Sequence, residues 1–124
     1  MKQLICVAAL LTSFGANAAG LPCSIHPTKG LTDTELVKLA KVSRADAERT
    51  ALKAVHIKSA SVEKSGELEA EAGCLIFSVD VKIPGKKSIV EVWVDAGDGK
   101  VLAKEHEGPK AQAAEKAADA TAKP

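Results

Sequence analysis

The spacing of apolar residues changes along the chain, and the change predicts helices first and strands afterwards. Helical spacing recurs in two segments, at Leu36, Val37, Leu39 and Ala40 and then at Ala47, Ala51, Leu52 and Val55. The run from Thr32 to Glu35 has the spacing of a capping box, and Ser43 is a suitable N-cap for the second segment. The pattern therefore predicts two short helices that meet near Val42 and Ser43.

From Ile57 onward the period changes to two, which is typical of strands with one buried face. Glutamates alternate with Leu68, Ala70 and Ala72, so the first strand is predicted to have an acidic outer face. The predicted strands comprise residues 67–72, 75–83, 89–95 and 100–106. Because the links are short, neighbours in sequence are expected to pair. The sequence thus predicts an α+β fold, with one or two short N-terminal helices packed on one face of a three- to four-stranded antiparallel meander sheet.

Residues 1–18 have the pattern of a secretory signal peptide, with Lys2, a short apolar run and small residues up to Ala18. The run is shorter than the roughly 20 residues of a membrane-spanning helix, so we expect a periplasmic or secreted protein without a membrane span. Cys23 raises a lipoprotein as the competing interpretation, which the proline before it disfavours. The further predicted segments are an irregular arm (19–31), the folded domain (32–107) and an Ala/Lys-rich disordered tail (108–124).

Charge and aromatic content exclude some classes of partner. Removing Lys2 with the signal peptide leaves 17 − 1 = 16 basic residues against 16 acidic ones, so the mature chain is formally neutral. Its Phe and Trp residues are limited to Phe77 and Trp93. Nucleic-acid surfaces need basic grooves and stacking aromatics, and anionic membranes attract polybasic segments. Neither partner is expected.

Two cysteines remain after Cys6 leaves with the signal peptide. Cys23 and Cys74 are predicted to form a disulfide, because an exported chain meets oxidising conditions and a small core gains from a covalent link. Closing so long a loop is expected to stabilise the protein by about 3 to 4 kcal/mol. The rival interpretation, a redox or metal-binding cysteine, lacks a C-x-x-C motif.

Dense polar chemistry occurs in the stretch VWVDAGDGKVL, residues 92–102. A calcium loop would need ligands where glycines stand after Asp95, and a phosphate loop would need a following helix. A hairpin turn is predicted instead, with Gly97 and Gly99 at positive φ. In that turn the side chain of Asp95 or Asp98 is expected to bond the backbone.

Other polar residues show no spacing that is typical of an active site or a metal site. The histidines are His26, His56 and His106, and they are scattered along the chain. No nucleophile elbow or zinc-protease helix is present. The sequence therefore predicts no catalytic residues, no cofactor and no metal site, and we do not expect an enzyme.

Trp93 is the residue that most suggests an interaction surface. If the alternate valines of its strand face the helices, Trp93 lies on the opposite sheet face. Ile76 and Leu102 are expected on that face too, which makes the three a candidate interaction face. The alternative, which we favour, is that a bridge from Cys23 to Cys74 draws the arm over this face and covers it.

Four segments together resemble a PepSY domain. They are Ser43–Ala47 with Ala51 and Leu52, Glu67–Glu69 with Gly73, Phe77–Val81, and Val92–Leu102. The most specific part is the closing hairpin, formed by Val94, Asp95, Ala96, Gly99 and Val101. Members of this family often have tyrosine where this chain has Phe77, and the resemblance covers roughly Leu39 to Glu107.

The resemblance implies an exported, non-catalytic protein-binding or regulatory module. Peptidase inhibition and envelope sensing are the roles proposed for such domains, so the implied partner is a protein, with an envelope peptidase as one candidate. No catalytic residues carry over. A small-ligand or divalent-metal-binding periplasmic protein, using the glutamates from Glu67 onward or the arm at His26, remains the alternative. A hydrolase built from dispersed residues is a third class.

Overall fold

The computed structural model describes residues 21–63 and 65–108, in which two helices precede five strands. The elements are α1 (Asp33–Leu39), α2 (Arg44–Val55), β1 (Ser61–Val62), β2 (Glu67–Glu71), β3 (Cys74–Lys82), β4 (Ile89–Asp95) and β5 (Val101–Glu107). This order confirms the predicted α+β class. The predicted signal peptide and residues 109–124 of the predicted tail lie outside the described residues. Across the described ranges, no helix is both long and apolar enough to cross a membrane.

Both helices begin at the caps that the sequence predicts. The Thr32 side chain accepts a hydrogen bond from the Glu35 amide, and the Glu35 carboxylate accepts one from the Thr32 amide at 2.7 Å. Ser43 Oγ accepts the Asp46 amide at 3.1 Å. Because side chains satisfy these first-turn donors, each helix has a defined start. The second helix ends at His56, which has a left-handed backbone with φ of 60°.

The sheet is antiparallel throughout and has β3 and β4 at its centre. Strand β3 pairs with β4 on one side and with both β1 and β2 on the other, while β5 pairs with the free side of β4. Strand β4 covers the residues predicted for it. The two-residue strand β1 adds a fifth strand to the predicted sheet, and the register fixes which side chains share a face.

Each face of the sheet has its own apolar cluster. The helix-side core comprises Leu36, Ala47, Ala51, Leu75, Phe77, Val79, Val81, Ile83, Val90, Val92, Val94 and Ala96. The arm-side core comprises Cys23, Cys74, Ile76 and Trp93, with Leu21, Ala72, Leu102 and Ala103 packed against it. The helices thus cover one face, and the N-terminal arm covers part of the other.

Candidate functional site

The N-terminal arm is attached to the sheet by a disulfide and by hydrogen bonds. Cys23 and Cys74 are paired, with their Cα atoms 5.9 Å apart, which confirms the predicted bridge. Ser24 donates from its amide and its hydroxyl to the two carboxylate oxygens of Asp95, each at 2.6 Å. The Leu75 amide donates to the Ile25 carbonyl at 3.0 Å. The bridge also indicates an oxidising compartment.

Asp95 is the polar centre of this attachment. It is fully buried, and its carboxylate also accepts the amides of Gly97 at 2.7 Å and Asp98 at 3.3 Å. Burial raises the pKa of this carboxyl, but the hydrogen bonds from Ser24, Gly97 and Asp98 outweigh burial and leave the pKa below its usual value. Asp95 therefore has a structural role, because it holds the arm on the sheet.

The hairpin confirms the predicted turn and corrects the role of one glycine. Asp98 accepts the Lys100 amide at 2.9 Å, and Gly99 has a φ of 78°. Gly97 is not among the positive-φ residues. A Cβ there would instead collide with Ser24 Oγ and approach the Ile25 side chain to 3.0 Å. Gly97 is thus small because the arm passes directly over it.

The candidate interaction face of Trp93, Ile76 and Leu102 is covered. Trp93 is 5% exposed and Ile76 is 0% exposed, because the arm packs on both, while Leu102 is half-buried against them. An exposed apolar patch was the wrong interpretation of these three residues, and the covered alternative is confirmed. The Trp93 indole donates to Glu91 Oε2 at 2.7 Å, and the Ser78 hydroxyl donates to the same oxygen at 2.7 Å.

The sheet face that the arm partly covers is rich in carboxylates. The carboxylate residues that the register places on it are Glu67, Glu69, Glu71, Asp80, Glu91, Asp95, Glu105 and Glu107. We call this set the acidic face. Lys82 is the basic strand residue that shares it, so eight acidic residues stand against one basic residue. The helix-facing positions of the same strands include Lys104 and His106 and none of the acidic residues. The strands therefore separate charge between the two faces.

A β-bulge in β5 contributes to this separation. Trp93 pairs with Ala103 whereas Val94 pairs with Val101, so Leu102 is the extra residue. Val101 faces the helices. If side chains alternated regularly from Val101 onward, Glu105 would face the helices too. The bulge instead places Glu105 opposite Glu91, and Glu91 lies opposite Asp80 on its other side.

This arrangement makes a row of carboxylates across three strands. Directly opposed side chains on neighbouring strands have Cβ atoms about 4.5–5.5 Å apart, and like charges in such pairs destabilise a sheet. The row is formed by Asp80, Glu91 and Glu105. At the edge of the face, burial raises the pKa of Glu71, and the nearby Glu91 raises it further. The strand positions of this face therefore carry far more acidic than basic groups.

The histidines occupy three separate places. His26 lies on the arm beside the disulfide, His56 caps α2, and His106 is on the helix-facing side of β5. Sequence reasoning identified the glutamates of β2 but missed the rest of the acidic face. The alternation of Asp80 and Glu91 with buried residues was a usable signal, whereas Glu105 depended on the bulge.

Comparison with known proteins gives no further assignment. Neither a family model nor a curated protein nor a solved structure matches the chain. The resemblance to PepSY domains therefore stays a prediction.

Proposed function

We propose that this protein is an exported, non-catalytic binding module of the PepSY type that recognises a positively charged segment of a partner protein through its acidic face. The observation that carries the proposal is the concentration of strand carboxylates on the sheet face opposite the helices. The mature chain is neutral overall, so this face is a local feature and not a property of the whole surface. Periplasmic or secreted localisation, in an oxidising compartment, is part of the proposal.

The size of the acidic face favours a polypeptide as the ligand. Neighbouring strands lie about 4.8 Å apart, so the face extends roughly 14 Å from β2 to β5. A basic peptide segment can place several lysine or arginine side chains over such an area. Complementary charge of this kind mainly raises the association rate and selects the partner, and salt is expected to weaken it because screening acts over about 8 Å at physiological ionic strength.

A regulatory role is consistent with the way this face is built. The Asp95 and Glu91 carboxylates on this face accept hydrogen bonds from this chain's own Ser24, Ser78 and Trp93, so they hold the fold together. We therefore propose binding without turnover. An envelope peptidase with a basic surface beside its active site is the partner that would make this module an inhibitor.

A divalent cation is the second candidate ligand, and the row of Asp80, Glu91 and Glu105 favours it. Carboxylates on neighbouring strands can share a hard cation. Titration calorimetry with Ca²⁺ and Mg²⁺ separates the two candidates, because micromolar binding that Glu105→Gln abolishes would favour the cation. Binding at the millimolar level or weaker leaves the protein partner as the better candidate.

Site-specific photocrosslinking in the native envelope tests the leading proposal. A photoreactive residue at Lys82, which is exposed on the acidic face, is expected to capture a partner, whereas the same residue at Lys38 on α1 is not. The double variant Glu67→Gln/Glu105→Gln is expected to reduce capture and the salt dependence of binding. Its matched control is Asp33→Asn/Asp46→Asn, which changes net charge equally on the helices.

Equal capture from Lys82 and Lys38, or equal losses in the two double variants, would contradict recognition through the acidic face. A captured partner without basic residues at the crosslink would contradict the charge argument. Peptide turnover by the repurified protein would contradict the absence of catalysis.

A further inference from the structure

The best-organised set of metal-binding atoms in the described chain lies at the disulfide. Cys23, Cys74 and His26 each offer one ligand atom, and these atoms all lie within 4.8 Å of one another. His26 Nε2 is 3.9 Å from Cys23 Sγ. In the oxidised protein the two sulfurs are bonded to each other, so they cannot act as thiolate ligands. The set is a metal site only after the disulfide is reduced.

The imidazole of His26 lies beside the disulfide, with Nδ1 at 3.6 Å and Nε2 at 3.9 Å from Cys23 Sγ. Its Nδ1 lies 3.1 Å from the Gly73 carbonyl oxygen. A carbonyl can only accept, so Nδ1 carries the hydrogen, and the lone pair of the neutral ring is on Nε2. Histidines that bind metal commonly donate their second ring N–H to a backbone carbonyl, which fixes the tautomer and the ring orientation.

The arm is expected to stay in place when the disulfide is cleaved. The two Ser24 bonds to Asp95, the bond from Leu75 to the Ile25 carbonyl and the His26 bond to Gly73 do not involve sulfur. These bonds all lie just after Cys23 in the arm, at Ser24, Ile25 and His26, and next to Cys74 in the sheet. Reduction would therefore leave two thiols side by side, next to an oriented imidazole.

We propose that reduction of the disulfide creates a binding site for a thiophilic d¹⁰ cation, with Cys23, Cys74 and His26 as ligands. A dithiol reductant gives up two electrons and two protons, becoming a disulfide while Cys23 and Cys74 become thiols. Zn²⁺ then binds both sulfurs and the imidazole, and the two thiol protons are released to solvent. The fourth position of the tetrahedral ion is open to water or another ligand.

The backbone geometry suits this exchange. Two thiolates on one tetrahedral zinc lie about 3.8 Å apart, given Zn–S bonds of roughly 2.3 Å. The Cα atoms of Cys23 and Cys74 are already 5.9 Å apart, so side-chain rotation is enough to separate the sulfurs to that distance. The metal would replace the covalent link between arm and sheet. This metal site is independent of the acidic face and of the partner proposed for it.

Zinc titration of the mature protein tests the proposal. Reduced, metal-free protein, kept without oxygen, is expected to bind one equivalent of Zn²⁺ at submicromolar concentration in competition with a chromogenic chelator. The oxidised protein is expected to bind none at that level. Co²⁺ gives a second readout, because thiolate ligation produces an intense near-ultraviolet charge-transfer band. Trp93 fluorescence reports whether the arm stays docked.

The decisive variant is His26→Asn, with His56→Asn as the matched control. Loss of the imidazole is expected to weaken zinc binding about tenfold or more, while His56→Asn is expected to leave it unchanged, since asparagine tolerates the left-handed cap. Equal affinity in His26→Asn and the parent protein would overturn the site. So would a reduced protein that unfolds or binds no zinc, because the proposal requires a docked arm.

Discussion

The two faces of the sheet are buried in different ways. On the helix side, twelve buried residues form one core beneath α1 and α2. On the arm side, four buried residues depend on a short irregular segment that is held by one disulfide and by bonds to Asp95. Side chains alternate between the two faces of the same strands. On one face they form an extensive apolar core, and on the other they form a small covered patch beside a charged surface. The comparison places the larger apolar core on the helix side, whereas the arm side is the face through which we propose that the protein binds a partner.

The largest expected effect comes from neighbouring residues that face opposite sides of β3. Leu75→Ala and Ile76→Ala each remove a fully buried side chain, and each is expected to lower the free energy of unfolding by about 2 to 5 kcal/mol. Only Ile76→Ala should open the arm side, because only Ile76 packs with Trp93. Urea unfolding and acrylamide quenching of Trp93 measure the two effects. Equal quenching in both variants would show that the faces are not independent.

A smaller effect is expected at Asp95. Asp95→Asn removes a buried charged acceptor of four hydrogen bonds and is expected to cost about 1.5 to 3 kcal/mol at pH 7. The folded-state pKa lies below the unfolded value, so this contribution is present above the unfolded pKa and is lost as pH falls through the folded pKa. The difference between the two proteins should therefore shrink below about pH 4.

Urea unfolding at pH 7 and pH 3 checks this prediction at Asp95. Asp98→Asn is the control, because the Asp98 carboxylate accepts only the exposed Lys100 amide bond on the same hairpin. A difference between Asp95→Asn and the parent protein that stays constant with pH would contradict the linkage.

The smallest expected effect is at Glu71, where charge on the arm side opposes folding. Burial and the nearby Glu91 raise its pKa in the folded protein. A raised carboxyl pKa favours folding at low pH, and that advantage is lost as pH rises through the folded-state value. Glu71→Gln should therefore raise the melting temperature slightly at pH 7 and leave it unchanged below about pH 4. Calorimetric melting compares it with Glu63→Gln, and stabilisation at both pH values would contradict the assignment to charge.

Local patterns predicted most of the fold. The capping residues Thr32 and Ser43 define helix starts through bonds within four residues, and the alternation in β3 and β4 follows from one buried face. Strand β1 could not be found in this way, since two residues carry no period. It forms because Ser61 and Val62 pair with Lys82 and Val81 at the end of β3, a contact between distant parts of the sequence.

The candidate site was harder to predict because it depends on long-range geometry. The contact between Ser24 and Asp95 joins residues 71 positions apart, and no pattern of apolar and polar residues in the sequence predicts it. Gly97 was predicted to have a positive φ in the turn. In the structure it has no positive φ, and its lack of a side chain leaves room for the arm. The pairing of Cys23 with Cys74 was predictable because removal of the predicted signal peptide would leave two cysteines. The predicted disulfide was in turn enough to favour a covered Trp93.

The arm lies far in the sequence from the residues that hold it on the sheet, and this distance affects the order in which the domain assembles. Synthesis proceeds from the N-terminus at about 5 to 20 residues per second, so Asp95 follows Ser24, 71 positions earlier, by roughly 4 to 14 seconds. The hairpins of β3, β4 and β5 involve short loops and can form within microseconds once made. The arm is thus the first part of the domain to be synthesised, and it can dock on the sheet and pair Cys23 with Cys74 only after the strands have been made.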